Sequence, residues 1–280
     1  MRLYFSFGLM LFLLLSVLCS VLIANLLMGF GKREGVSVLP IFLGNYFVAS
    51  IFSYASLPGI PVFVSSFDLI LGVGAGALFL ANFWVYQRSL VFNGLSLSVG
   101  VMRIAMIVPV LLSVGLFREV LSPYNQIGIA LGLLAFGLKT RLKELHNLLW
   151  IAGLFLVSGL TDSSLKLYKE LGSGQEAVFI YIIFTSAFFF TLVAIAFGRV
   201  KVPWRSILFG CGLGIPNRLS TVFFLKGLDT IPASIAYPLV AVSIVLLSII
   251  SDLTLWKKQA TRRDFLLWAM LIVSLFLLNI

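Results

Sequence analysis

Four charged residues lie inside otherwise apolar stretches of this 280-residue sequence. Asp162 and Lys166 are four positions apart, so a helix would place them on one face, as an ion pair or as part of a polar cavity. Arg103 has no acidic residue one turn away, so its expected partner is Asp162 from another helix or an acidic group of a ligand. Arg218 follows Pro216, which would kink a helix. Such charges predict a site for a charged solute, although a structural ion pair or a packing kink explains them equally well.

Neutral polar residues in the same stretches extend the set of candidate cavity residues. They are Asn25, Asn82, Asn217, Tyr181 and Tyr237. Hydrogen bonds between helices account for most such residues in membrane proteins, so this alternative stays open for each of them. His146 is the only histidine, and neither a Ser-His-Asp set, a metal cluster nor a nucleotide-binding motif is visible in the sequence. The sequence therefore predicts neither an enzyme nor a cofactor.

The composition excludes a water-soluble protein. Hydrophobic residues make up 61% of the chain and charged residues 11%, whereas soluble domains have about 45–50% and about 25%. The mean hydropathy is +1.12. A net charge of +10 could suggest nucleic-acid binding. However, the cations lie in short clusters between apolar runs, as expected of membrane proteins, and we expect no nucleic-acid partner.

Ten apolar runs, most of them near the roughly 20 residues needed to cross a bilayer, predict an all-α integral membrane protein with ten transmembrane helices. The runs are Leu3–Gly29, Ser37–Leu57, Phe67–Leu90, Leu95–Phe117, Pro123–Leu138, Leu148–Tyr168, Glu176–Phe197, Trp204–Leu228, Ile231–Leu255 and Asp264–Ile280. Thirteen lysines and arginines flank the odd-numbered connections, and four flank the opposite side. The positive-inside rule then predicts a cytoplasmic (inner) membrane protein with both termini outside.

The chain also repeats itself. The glycine motif Gly72–Gly76 recurs as Gly210–Gly214, 138 positions later, and Ser98 corresponds to Ser234. We therefore predict two five-helix repeats, residues 1–140 and 141–280. Because five is odd, the second repeat would be inverted, an arrangement typical of secondary transporters that bind substrate near the membrane midplane. The glycines have a second interpretation as close helix contacts, which is compatible with the first.

These features resemble the drug/metabolite transporter superfamily, specifically its EamA-like permeases. The stretch Phe117–Ser122 is similar to the family signature Gly-Glu-x-Leu-Ser/Thr, with Arg118 in place of the glycine. The stretches Gly214–Asn217 and Ile231–Ile235 are similar to a helix and turn of the second repeat. The acidic signature is missing there, since Lys257 lies opposite Glu119 at a spacing of 138. The family norm of cytoplasmic termini also disagrees with the charge count.

Together these observations predict a secondary transporter, not driven by ATP, that moves small organic metabolites by alternating access. Arg103 and Arg218, one from each repeat, predict a cavity of positive potential. Amino-acid-like solutes or other solutes with an anionic group would fit it. The alternative is a non-transporting scaffold or a lipid-handling helix bundle. Expected partners are the substrate and membrane lipids, with proton or ion coupling left open and a monomer as compatible as a homodimer.

Overall fold

The computed structural model describes residues 7–31, 38–59, 64–139, 147–257 and 262–280. Within these ranges the chain forms ten helices and no strand. The helices are α1 (Phe7–Gly31), α2 (Val38–Ala55), α3 (Ser66–Ile104), α4 (Ile107–Gly115), α5 (Pro123–Lys139), α6 (Leu148–Leu171), α7 (Glu176–Phe197), α8 (Trp204–Leu228), α9 (Ala233–Thr254) and α10 (Arg262–Leu278). Several residues used in the predictions lie outside the described ranges: Arg2, Leu3, Lys32, Arg33, Ser37, Arg141, Lys143, His146 and Lys258.

Eight helical segments of the described chain are long and apolar enough to cross a membrane. Backbone N–H and C=O groups have no water to bond in lipid, so continuous helices are the expected form of such segments. They indicate a multi-pass membrane protein, as the composition predicts. Helices α5 and α10 are apolar but shorter. Helices α5 to α10 begin within two residues of the predicted runs.

The third helical element contains a reversal of the chain. The hydroxyls of Ser89 and Ser98 are hydrogen-bonded at 2.7 Å. A straight helix would separate positions nine apart by about 13 Å along its axis, so the chain must turn back between them. The turn falls where the sequence predicts the connection between the third and fourth runs, Phe67–Leu90 and Leu95–Phe117.

The predicted fourth run is not one continuous helix. The regular helical hydrogen bonding is interrupted at Ala105 and Met106, and α4 begins at Ile107. Pro109 has no N–H to donate to the carbonyl of Ala105, and Val108 donates to that carbonyl instead, at 3.0 Å. The proline thus explains the break, which lies directly after Arg103.

The described chain divides into two compact units. Unit 1 contains the described residues of Met1–Leu80 and Leu167–Gly227, and unit 2 those of Ala81–Lys166 and Leu228–Ile280. Each unit therefore combines helices from both halves of the sequence. The division into repeats 1–140 and 141–280 concerns sequence similarity and stays a prediction.

In unit 1, small residues allow α2 and α8 to approach closely. A Cβ atom added to Gly210 would lie 1.9 Å from the carbonyl oxygen of Ile41. A Cβ at Gly44 would lie 2.2 Å from the carbonyl oxygen of Ile207. A Cβ at Gly212, by contrast, would meet nothing within 4 Å. Gly210, the first glycine of the motif Gly210–Gly214, therefore has the close helix contact that the packing interpretation predicts.

In unit 2, α5 begins with a capping box. Ser122 precedes Pro123, and its hydroxyl accepts a hydrogen bond from the Asn125 backbone N–H at 3.1 Å. The Asn125 side chain accepts one in return from the Ser122 N–H at 3.3 Å. The same Asn125 donates to the carbonyls of Leu277 and Leu278, at the end of α10. This one residue therefore satisfies polar groups at the ends of two helices.

Helices α4 and α9 of unit 2 end in the same way. Each is followed by a cationic residue in the left-handed conformation, Arg118 with φ 54° and Lys257 with φ 51°. Glycine is the residue that adopts this conformation at least cost. The predicted correspondence of Lys257 with Glu119 belongs to the repeat and stays a prediction.

Candidate functional site

Two opposite charges lie within apolar segments of unit 2. Asp162 is about 4 Å along the axis from the centre of α6 at 1.5 Å per residue. Arg103 lies at the end of α3, directly before the helix break. Two contacts bring these elements together: Val85 and Val101 of α3 pack with Leu154 of α6, and Gly159 of α6 lies against Val108 of α4. The two charges interact electrostatically.

Neither charged group is satisfied by the described protein. No ion pair within 4.0 Å joins Arg103 to Asp162 in the described ranges. The buried Nε of Arg103 has no hydrogen-bond partner there. The same ranges show no hydrogen bond to the Asp162 carboxylate either, since Tyr237 donates to the backbone carbonyl of that residue, at 2.5 Å. An arginine has five N–H donors, so this arrangement leaves most of the hydrogen-bonding capacity of the pair unused.

Neutral polar groups extend the site. Asn82 of α3 accepts a hydrogen bond from the hydroxyl of Ser158 in α6, at 2.7 Å. Ser158 is one helical turn before Asp162, so this bond lies on the same side of α6. Tyr86, one turn after Asn82 on α3, interacts electrostatically with Arg103. Of the predicted cavity residues, the structure therefore gathers Asn82, Arg103, Asp162 and Tyr237 in unit 2.

Lys166 has a different partner from the one predicted. Its ammonium group donates to Oε1 of Glu119 at 2.5 Å, across 47 positions of sequence. The other oxygen of Glu119 accepts from the Ser234 N–H at 2.8 Å, and Oε1 also accepts from the Ala233 N–H at 3.2 Å. Asp162, one turn away on α6, interacts with Arg103 instead. The predicted pair of Asp162 with Lys166 is thereby corrected: the shared helix face allowed it, but a carboxylate fixed by two backbone N–H groups holds the lysine.

We call Glu119, Lys166, Ala233 and Ser234 the capped junction. Ala233 and Ser234 are the first residues of α9, so Glu119 places a negative charge where the helix dipole is positive. Burial alone would raise the pKa of the Glu119 carboxyl, but the hydrogen bonds from Lys166 and Ser234 hold it below its ordinary value of 4.5. The side chain of Lys166 is only 3% exposed. The junction is therefore a buried, well-satisfied ion pair.

Unit 1 contains the second buried arginine. The guanidinium of Arg218 lies over the ring of Phe52, 4.7 Å from its centroid. Its Nε is buried and has no hydrogen-bond partner in the described chain. Pro216 lies at the middle of α8, which continues past it. Asn217 donates to the side chain of Asn45 in α2, at 3.2 Å, so this asparagine serves contact between helices.

The remaining candidates have contacts within unit 1. Asn25 donates to the carbonyl of Val21 in its own helix, at 2.9 Å. The ring of Tyr181 lies 5.8 Å from that of Tyr54. Neither observation connects these residues to a charged group. No group of three or more His, Cys, Asp or Glu residues that could hold a metal ion occurs in the described ranges.

Sequence reasoning missed three members of these clusters. Ser158 and Phe52 carry no signal that separates them from other residues of apolar helices. The sequence singled out Glu119 only because the surrounding residues are similar to a family signature. Its partner Lys166 is 47 positions away, and nothing in the sequence connects the two residues. The helix break beside Arg103 had a visible signal in Pro109.

Comparison with known proteins gives the fold but no function. No family model matches the chain. A Haemophilus influenzae protein described as uncharacterized is 22% identical over 270 residues, which cover 91% of this chain and 92% of that protein. A protein of known crystal structure has a TM-score of 0.76 with 14% identity, and the match covers 96% of both chains. At that identity the likeness shows a shared fold alone.

Proposed function

We propose that this protein is a secondary transporter of small organic metabolites, working by alternating access without ATP. Solutes that carry an acidic group are the favoured substrates, because Arg218 has no ion pair within the described ranges and its Nε has no hydrogen-bond partner there. The transporter function, the ten spans and the EamA-like character are parts of one proposal.

One observation carries the proposal. Arg103, Asp162 and Arg218 lie within apolar helices, and none of their charged groups has a hydrogen bond or ion pair within the described ranges. A charge at membrane depth is costly, and such residues usually face a cavity or a substrate pathway. A scaffold gains nothing from charges left unsatisfied. A transporter needs them, because the substrate completes their contacts.

Two features of the backbone support the same proposal. The helix break at Ala105 and Met106 lies beside Arg103, and broken helices are tolerated at membrane depth where they line protein or a cavity. Arg118 after α4 and Lys257 after α9 both have positive φ, as does Arg199 after α7, and the agreement between α4 and α9 is compatible with two copies of one five-helix repeat. An inverted repeat then supplies the two alternating halves.

Transport is tested with purified protein in liposomes that are preloaded with one unlabelled solute and exposed outside to a trace of the labelled form. The panel comprises amino acids, monocarboxylates, nucleosides and organic cations. We expect exchange above empty liposomes for at least one solute with an acidic group, and its loss in Arg103→Gln. Arg118→Gln, which changes an exposed arginine of unit 2, is the matched control. Folded wild-type protein that exchanges none of these solutes would refute the proposal.

Orientation in the membrane is a separate part of the proposal. The charge count predicts both termini outside, with the connection before α10 in the cytoplasm. Gln259 lies in that connection, outside the described residues. A cysteine at this position, in a chain whose Cys19 and Cys211 are replaced, should be labelled only after the membrane is made permeable. Labelling of intact cells by an impermeant reagent would reverse the orientation.

A further inference from the structure

A groove with a volume of about 390 Å³ lies in unit 2 between the end of α3 and the beginning of α6. We call it the α3–α6 groove. Only apolar side chains line it, among them Val101 and Ile104 of α3 and Leu148, Ile151 and Phe155 of α6. Sites for small polar molecules place a few polar groups among the apolar ones, because these groups orient the ligand. A lining without a polar side chain fits a hydrocarbon instead.

The depth of the groove matches one leaflet of a bilayer. Its two walls belong to Ser98–Gly115 and Leu148–Leu171, both apolar and long enough to cross a membrane. Leu148 is the first residue of its segment, and the lining reaches Leu156, about 12 Å further along the helix axis. One leaflet contributes about 15 Å, half of the roughly 30 Å hydrocarbon core. The groove therefore begins where the membrane span begins and extends through most of one leaflet.

Aromatic rings and an exposed cation lie at the Leu148 end of the groove. The ring centroid of Trp150 lies 5.4 Å from that of Trp84 and 6.2 Å from that of Phe92. The guanidinium of Arg88 lies over the ring of Trp84, 5.9 Å from its centroid. Tryptophan is enriched at the level of the lipid headgroups. These contacts therefore place the positive charge of Arg88 at the headgroup end of the groove.

The α3–α6 groove is also narrow, and its walls are fixed. Ile151 and Phe155 pack against a buried core of Val85, Val101 and Leu154. Spread over about 12 Å, the volume corresponds to a cross-section of about 30 Å². A helix with a diameter of about 10 Å has a cross-section of about 80 Å², so a helix from a second copy of the chain does not fit. A single hydrocarbon chain does.

We propose that the α3–α6 groove and Arg88 bind one anionic phospholipid of the surrounding bilayer. One acyl chain fills the groove, and the phosphate lies against the guanidinium, whose paired N–H donors match phosphate oxygens. Arg88 is exposed and forms no ion pair in the described ranges, so its charge is available to a headgroup. The inference goes beyond the proposed transport function, since it requires only that the protein lies in a membrane.

The headgroup is tested by counting bound lipid. Purified protein in detergent is titrated with phosphatidylglycerol or with phosphatidylcholine of the same acyl chains, and native mass spectrometry measures the lipid that stays bound. We expect the first phosphatidylglycerol to bind about fivefold more tightly than the first phosphatidylcholine, which is the effect of one basic residue on an anionic headgroup. Equal affinities in the wild type would overturn the preference for an anionic lipid.

Two variants separate the headgroup from the acyl chain. Arg88→Gln should bind both lipids with the weaker affinity of phosphatidylcholine, whereas Arg118→Gln, at another exposed arginine of unit 2, should keep the preference. Ala152→Phe places a ring in the groove, of which Ala152 is part of the lining, and should weaken binding of both lipids about tenfold. Its control is Ala130→Phe, at an exposed alanine of α5.

Each outcome bears on one part of the site. A preference for phosphatidylglycerol that persists in Arg88→Gln would overturn the role of the arginine. Equal lipid binding by folded Ala152→Phe and the wild type would mean that the lipid belongs to a general shell around the protein, and would overturn the groove as its site. Unfolding midpoints of the four variants, compared with that of the wild type, establish that each is folded.

Discussion

Unit 2 contains two pairs of opposite charges that are built in opposite ways. In the capped junction, the Glu119 carboxylate takes hydrogen bonds from Lys166 at 2.5 Å and from the first two residues of α9. In the pair formed by Arg103 and Asp162, the described chain supplies no hydrogen bond to either charged group. Under our proposal, the first pair holds helices together and the second contributes to binding a substrate.

Position in the fold sharpens this contrast. Glu119 lies between α4 and α5 and caps the beginning of α9, where backbone N–H groups have no partner within their own helix. Asp162 lies within α6, where the neighbouring backbone N–H groups are already used by the helix, and Arg103 lies at the end of α3, directly before the break. The beginning of a helix can satisfy a carboxylate with backbone N–H groups, whereas the interior of a helix cannot. The unsatisfied pair therefore needs an explanation outside the fold.

The largest expected effect on stability comes from the capped junction. Glu119→Gln keeps the shape of the side chain but leaves the ammonium group of Lys166, 3% exposed, without its anion. Removing one partner of a buried pair typically costs about 3–5 kcal/mol, so we expect a loss of about 3 kcal/mol in the free energy of unfolding. Thermal unfolding in detergent measures it.

Two further variants control this prediction. Glu170→Gln changes an exposed glutamate of α6 and should leave the unfolding midpoint unchanged. Lys166→Met combined with Glu119→Gln should be more stable than Glu119→Gln alone, because no buried charge is then uncompensated. If Glu119→Gln is as stable as Glu170→Gln, the junction does not hold the fold.

A smaller change in stability is expected when the pH is lowered. The pKa of Glu119 is lower in the folded protein than its ordinary value of 4.5. A lowered folded pKa gives stability that is present above pH 4.5 and is lost as the pH falls through the folded pKa. The difference in unfolding midpoint between wild type and Glu119→Gln should therefore be constant above pH 4.5 and should narrow below it. A difference that stays constant down to the lowest accessible pH would contradict the assigned interaction.

The sequence predicts the helices of this protein better than it predicts their contacts. Apolar run length is a local property, and α7 and α8 begin and end where their runs do. The helix break before α4 was missed although Pro109 signals it, because hydropathy does not respond to a lost backbone hydrogen bond.

Partners of charged residues were harder to predict. The spacing of Asp162 and Lys166 shows that they share a helix face, but it gives no information about contacts with other helices. Which anion reaches Lys166 depends on how the stretch after α4 lies against the beginning of α9, a contact across 114 positions between Glu119 and Ala233. The sequence named Asp162 as the alternative partner for Arg103, and the described ranges show no direct ion pair between them. The sequence could not show that the two charges interact without a direct bond.

A further small effect on the free energy of unfolding is expected at Arg118, next to Glu119 of the capped junction. Arg118 adopts the left-handed conformation, with φ 54°, which costs a residue with a side chain about 1–2 kcal/mol. Arg118→Gly should raise the free energy of unfolding by about 1 kcal/mol, part of the gain being offset by the greater freedom of glycine in the unfolded chain. Val120→Gly, at a highly exposed neighbouring position, should give no such gain. A loss of stability in Arg118→Gly would mean that the guanidinium has contacts that outweigh the strain.

The smallest effect on stability is expected at the unsatisfied pair. Arg103→Gln and Asp162→Asn should each change the free energy of unfolding by less than about 1 kcal/mol. Each removes an attraction that acts beyond 4.0 Å, and each also removes a charge whose burial is costly. Unfolding midpoints, measured beside that of Glu119→Gln, would show the contrast directly. A loss as large as that in Glu119→Gln would make the pair structural.

The most direct test joins stability and transport in one variant, Asp162→Asn. The measurement is the exchange of labelled solute in liposomes, for whichever solute the wild type exchanges, at equal amounts of folded protein. We predict an unfolding midpoint close to that of the wild type together with a loss of exchange of about a hundredfold. Full exchange by the folded variant would contradict the account, since the carboxylate at the centre of α6 would then have no part in binding the substrate.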